Sequence, residues 1–368
     1  MSAALRRAIA CAAVFAAACS APSAAAPNGA SSAEPESVNV LGPASLLEPP
    51  ASSASATPEA STRAAARDTS QAASAASLAL PSAQPAPVAP APPPLDLVDG
   101  PLPQALAAGA ELVRAEKWSK AKTSLAPAVA AVDKAGVPDD VAVAHALLGR
   151  ACAGAGDLAG AKKAYAAALA AADAADAVVA TDADEARRSV RVARLALVRG
   201  EALFSQAEEK RRLAAAKKAP AIGALRDQTA VTKFTHDKLA PWLAERMKLM
   251  NDAESAYQGV LQVKPFPPPV WVVASSRQVA GMWDAFVDEM NKSPIPAEWQ
   301  GEGEINHVKK SEIRRIFREA LDSNMAPYRD RVRQGYRMCS DHAKRFSVTT
   351  ADAATCDDWL AKHPAPPP

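Results

Sequence analysis

The sequence predicts an all-α fold: a solenoid of antiparallel helix pairs with longer helices towards the C-terminus, preceded by a disordered tether. Three observations predict it. The stretch from Val143 to Leu169 holds apolar residues at helical intervals in two short runs parted by glycines. Helical periodicity of the same kind runs through residues 104–132 and again through 182–346. From Ser20 to about Pro101, by contrast, the chain is mostly Ala, Ser and Pro without an aromatic residue. Such a segment cannot bury enough apolar surface to offset the entropy of ordering. The expected organisation is a signal peptide over 1–18, a tether over 19–101, paired helices over 102–178, extended helical repeats over 179–346, and a capping helix and tail over 347–368.

In the central stretch, Leu148 and Cys152 share a helical face at i and i+4, and Ala161, Tyr165 and Ala168 share another. Gly149 lets the two helices approach, and Gly154 and Gly156 supply the turn. Leu148, Gly149, Cys152, Gly156, Ala161, Tyr165 and Ala168 stand at the spacing of the tetratricopeptide repeat, and the stretch resembles one such unit closely. The resemblance implies stacked neighbours, since one unit cannot bury its apolar face alone, and a binding function in place of chemistry. Residues 104–132 repeat the pattern more faintly, with Ala108, Gly109 and Leu112, then Ala121, Leu125 and Ala128, and with Trp118 in the turn. A surplus loop over 133–140 ends in Asp139 or Asp140 as a helix cap.

The N-terminus carries Arg6 and Arg7, then an apolar run from Ala8 to Ala18 that is too short to span a bilayer and reads as a secretory signal. The run ends in AlaAlaAlaCysSer, which resembles the lipoprotein signal-peptidase box with Cys19 as the lipidated first mature residue. Ser20 beside it resembles lipoproteins sorted to the outer membrane. The implied place is the outer membrane, facing the periplasm, with the membrane reached through the lipid. Cleavage near Ala25 or Ala26, discarding Cys19, is the other reading.

Further along, Asp182 to Lys218 predicts one long amphipathic helix or two joined ones. Leu225 to Val263 is similar, and in it Ala253, Tyr257 and Val260 recover the second-helix spacing. LysProPheProProPro is a stop, and Trp271, Ala274, Gln278, Met282 and Phe286 mark the next helix. Ile313, Ile316, Phe317, Ala320 and Leu321 form one stripe and Tyr328, Val332, Tyr336, Cys339, Ala343 and Phe346 the next, with 323–327 separating or kinking them. On AlaGluSerAlaTyr at 253–257, ProIlePro at 294–296, ArgGluAlaLeu at 318–321 and the terminal Cys and Trp, residues 104–362 resemble envelope proteins of delta-proteobacteria. In these, tetratricopeptide units continue into longer helical repeats, and some are outer-membrane lipoproteins of gliding-motility machinery.

Chemistry is sparse. No glycine-rich phosphate loop or nucleophile motif is present, and Glu304 and His307 with Glu302 lack a second metal-binding pair. Neither an enzyme, a metal nor a cofactor is expected. The net charge of +2 is too small to imply nucleic acid as partner. Between Lys309 and Arg345 eleven Lys or Arg face five Asp or Glu. Arg314, Arg318, Arg329, Arg333 and Arg337 form either a solvated helix exterior or a basic face for anionic lipid, cell-wall polymer or an acidic protein. Cys339 and Cys356 are the natural disulfide pair in an exported chain, with two buried thiols as the alternative, while Cys152 stays single. The functional expectation is an envelope adaptor that binds a protein partner in its groove. The rival is a cell-wall-associated factor that binds glycan or regulates a hydrolase.

Overall fold

The computed structural model describes residues 96–221, 228–305 and 307–364. The signal-like segment, Cys19 and nearly all of the Ala/Ser/Pro tether lie outside the described residues. What is described is mostly helical. α1 (Gln104–Arg114) and α2 (Trp118–Ala135) pack together, as do α3 (Pro138–Gly154) and α4 (Leu158–Ala180). Local chemistry sets these boundaries. Gly136 closes α2 with a left-handed φ of 74°, and Pro138 opens α3 where no N–H is required. Asp157 caps α4 by accepting from the Gly160 N–H at 2.8 Å. Only Gly156 of the two turn glycines has positive φ; Gly154 is the last residue of α3 and lies under the ring of Trp118. Trp118 itself begins α2 instead of sitting in the turn.

The two pairs share one contact in one register. A Cβ on Gly109 would meet the Leu125 side chain, and a Cβ on Gly149 would meet the Tyr165 ring, so a glycine of the first helix admits a large residue of the second in both. Ala121, Leu125, Cys152, Ala161, Tyr165 and Ala168 are buried. Leu148 is only half-buried, because Leu147 takes the fully buried position beside it. In α1 the buried face is Leu106, Gly109, Ala110 and Val113, and Ala108 is exposed. Gly149→Ala would place a Cβ 2.9 Å from the Tyr165 ring, whose hydroxyl is tied elsewhere, and is expected to cost about 1–3 kcal/mol. Gly281→Ala, whose Cβ would have nothing nearer than the Tyr336 hydroxyl at 3.8 Å, is the control. Urea unfolding midpoints of the two variants check this.

α5 (Glu185–Ala216) is a single helix, capped by Asp184, and its middle from Ala193 to Val198 is buried on every side. It touches α3 and α4 on one hand and α7 (Ala240–Leu261) and α8 (Pro269–Asn291) on the other. The stretch before α7 is not one helix with it in regular geometry: α6 (Gln228–Phe234) passes through a wider turn over Thr235–Leu239. That turn brings the adjacent His236 and Asp237 side chains within 2.9 Å, which a regular helix would not. Asp139 and Asp140 are not caps. They lie in the first turn of α3 and reach across to Arg191 and Arg194 of α5.

Two two-residue strands, β1 (Glu304–Ile305) and β2 (Val308–Lys309), pair antiparallel ahead of α9 (Lys310–Phe346). α9 runs unbroken through Pro327, because Met325, Val332 and Tyr336 on either side are held in the core against α8. α10 (Ala351–Lys362) then folds back over α8 and α9. Its face carries Cys356, joined to Cys339 by a disulfide, and Trp359, stacked on Tyr336 at 4.4 Å. Burial pushes the Tyr336 hydroxyl up to about 12, with Asp284 adding to the shift. Closing a loop of this size stabilises by about 3 kcal/mol, chiefly through the unfolded chain. In mature protein with Cys19 acylated or removed, a thiol count under unreduced denaturing conditions is expected to give the single buried Cys152. Three thiols would contradict the bridge.

Candidate functional site

A dense polar centre lies within the apolar packing of α3, α4 and α5. Arg150 of α3 donates from Nε to Glu201 Oε1 at 2.8 Å and from Nη2 to Oε2 at 2.6 Å, a two-pronged grip by a carboxylate that is itself only 1% exposed. Tyr165 of α4 donates its hydroxyl to the same Oε1 at 2.9 Å. The guanidinium edge left free points the other way, where Nη1 and Nη2 meet the two oxygens of Asp96 at 3.1 and 2.8 Å. Burial works to raise the Asp96 carboxyl, but the hydrogen bonds and charge of Arg150 outweigh it and hold it below its ordinary value. Tyr165 is pushed well above the usual phenol range, by burial first and by Glu201 next.

Asp96 begins a short turn, Leu97–Asp99, that lies against α1 and α5. Leu97 is fully buried and Val98 nearly so. The Val98 carbonyl accepts from Arg114 Nη2 at 2.6 Å, and Asp99 stands 3.8 Å from the same guanidinium. Composition assigned these residues to the tether; in the structure they are folded onto the helices. Nothing in the spacing of Arg150 and Glu201 announced them either. The available signal was Glu201 itself, a carboxylate four residues after Leu197 and three after Val198 on an apolar stripe.

A second charged group lies at the far end of α5. Arg191 bridges Asp139 and Asp182, which also receives Arg187. The hydrogen bonds of Arg187 foremost, then those of Arg191, hold Asp182 far below the usual carboxylate range. These pairs join the α4–α5 turn to the start of α3.

The other singled-out residues are spread out. Ala253 and Tyr257 are buried in α7, with the Tyr257 hydroxyl bonded to Glu208 of α5. Of the α9 arginines, Arg314 binds the carbonyls of Trp299 and Gly301, Arg318 that of Asn291, and Arg329 that of Asp322. Arg333 stands 3.9 Å from Asp330, and Arg337 is exposed. Three of the five therefore fasten the chain entering α9 or their own helix. Glu304 sits on β1 and His307 follows at a φ of 63°, and no group of three or more His, Cys, Asp or Glu suited to a metal occurs among the described residues. Ser276 Oγ and His342 Nδ1 are 3.1 Å apart, yet Ser276 also bonds the Val272 carbonyl of its own helix. Burial first, then Arg345, lowers the His342 pKa. No described helix is long and apolar enough to cross a membrane. Compared with known proteins, the chain matches no family model, no curated protein and no solved structure.

Proposed function

We propose that this chain is a non-enzymatic adaptor built in the tetratricopeptide manner, which binds a protein partner on the surface formed by α1, α3 and α5. The observation that carries the reading is the repeated contact: Gly109 against Leu125 and Gly149 against Tyr165, each glycine on a first helix and each large residue on a second. Two pairs in one register stack their first helices side by side, as α3 touches both α1 and α5. A surface of this kind suits an extended segment or helix. α7 to α10 extend the helical array, and the α10 face closes its end.

The location proposed with it is the outer membrane, with Cys19 acylated. Mass spectrometry of the mature protein is expected to find the lipid on Cys19, and Cys19→Ala to release the protein from membranes. An unmodified N-terminus near Ala26 would reject the anchor. Binding is tested by crosslinking in intact cells followed by mapping of the crosslinked residues. One protein joined recurrently to residues of α1, α3 or α5 supports the adaptor; peptidoglycan fragments as the main catch would reject it.

A further inference from the structure

We infer that the surface of α1, α3 and α5 is a receptor for a peptide carrying a carboxylate followed by two apolar side chains, and that Asp96–Asp99 occupies it in cis. The inference rests on the adaptor reading and adds what the surface recognises and how it is kept closed.

The receptor half has supports of its own. Arg150 is fixed from behind by both oxygens of Glu201, which Tyr165 holds in turn, so the guanidinium has an anchor that does not depend on Asp96. A two-toothed guanidinium presented this way selects a carboxylate over a neutral side chain. Arg114 adds a second donor, to a peptide carbonyl two residues on.

The segment, for its part, has the character of a ligand. Its backbone needs little from the helices: the Leu97 N–H bonds the Asp96 side chain, and the Asp99 N–H bonds the Asp96 carbonyl. It reaches the helices through two apolar side chains, one carboxylate clamp, one carbonyl and the ion pair of Asp99 with Arg114 at 3.8 Å. It continues into Gly100 and Pro101, an extended link to α1 that leaves it tethered next to its site. A segment on so short a link competes at an effective concentration in the millimolar range, enough to exclude a micromolar partner peptide until something draws the segment off.

The test uses the full chain and a fluorescent hexapeptide of the segment itself, acetylated AspLeuValAspGlyPro. An opened variant carries Asp96→Asn with Leu97→Ser. Expected is binding of the peptide at least tenfold tighter by the opened variant than by the wild type, and at least tenfold weaker for a peptide with asparagine in first place. Equal affinity for both proteins, or no binding to a folded opened variant at millimolar peptide, overturns the inference. An opened variant that fails to fold overturns it too, since the segment would then be core. Hydrogen exchange on the unaltered protein gives an independent reading. Amides of Leu97 to Gly100 are expected to exchange through an opening that α3 and α5 do not share, and equal protection would count against the proposal. Crosslinks to α1, α3 or α5 that are the same in wild type and opened variant would leave the adaptor standing and remove the cis closure.

Discussion

Glu201→Ala is expected to lower the unfolding free energy by about 3–5 kcal/mol, the range for removing one partner of a buried charge pair. The carboxylate is 1% exposed and serves three donors: Nε and Nη2 of Arg150 and the hydroxyl of Tyr165. Without it Arg150 retains only Asp96, whose side chain is 41% exposed, and the Tyr165 hydroxyl loses its acceptor in an apolar surround. Glu201→Gln keeps an acceptor for Tyr165 and loses the charge, so its cost should fall between wild type and alanine. Urea unfolding reads the effect as a lower midpoint at unchanged slope. A loss below about 1 kcal/mol, the size of an ordinary surface change, would mean that water reaches the network in solution.

The helices of this chain were legible wherever one apolar stripe faces one neighbour. The approach of Gly149 to Tyr165 was legible through the resemblance to the tetratricopeptide spacing, and the structure brings the two together. The position of Cys339 on the stripe of Val332 and Tyr336 likewise placed it facing Cys356, and the disulfide is present. Legibility failed where tertiary contact overrides local signal. Pro327 reads as a break, but packing of Met325 and Val332 carries α9 through it. Leu148 reads as the core position, while the rotation of α3 gives that place to Leu147. Asp139 reads as a cap until α5 brings Arg191 to it from fifty-two residues away. The same distance hid the centre of the site: Arg150 and Glu201 lie fifty-one residues apart, and neither stands in a motif. Composition misplaced Leu97 and Val98 because a Pro-rich approach conceals two apolar residues that a separate surface can bury.

Trp283→Ala should destabilise the other half of the chain, by about 3–5 kcal/mol for the truncation alone. Trp283 is fully buried in α8, a residue the helical stripe of Met282 and Phe286 did not single out. Its ring stacks on Tyr328 at 5.7 Å and meets Phe286 edge-on at 6.2 Å. The Arg331 guanidinium lies 4.2 Å over its face, and its Nε1 donates to Glu254 at 2.8 Å. Each of those geometries adds to the burial. Arg331 Nη2 keeps Glu254 paired at 2.6 Å after truncation, so the loss is that of packing and not of an orphaned charge. The location of the loss is as informative as its size. The buried residues fall into separate apolar clusters, a large one from Leu97 to Val198, another from Ala214 to Cys356 and a small one of Cys152, Ala161, Tyr165 and Ala202, with α5 reaching into all of them. Helices packed in separate clusters can open separately. Hydrogen exchange on Trp283→Ala should therefore show protection falling across α7 to α10 while α1 to α4 stay close to wild type, with Glu201→Ala giving the reverse. Equal loss across all helices in both variants would show that α5 couples the clusters into one cooperative unit.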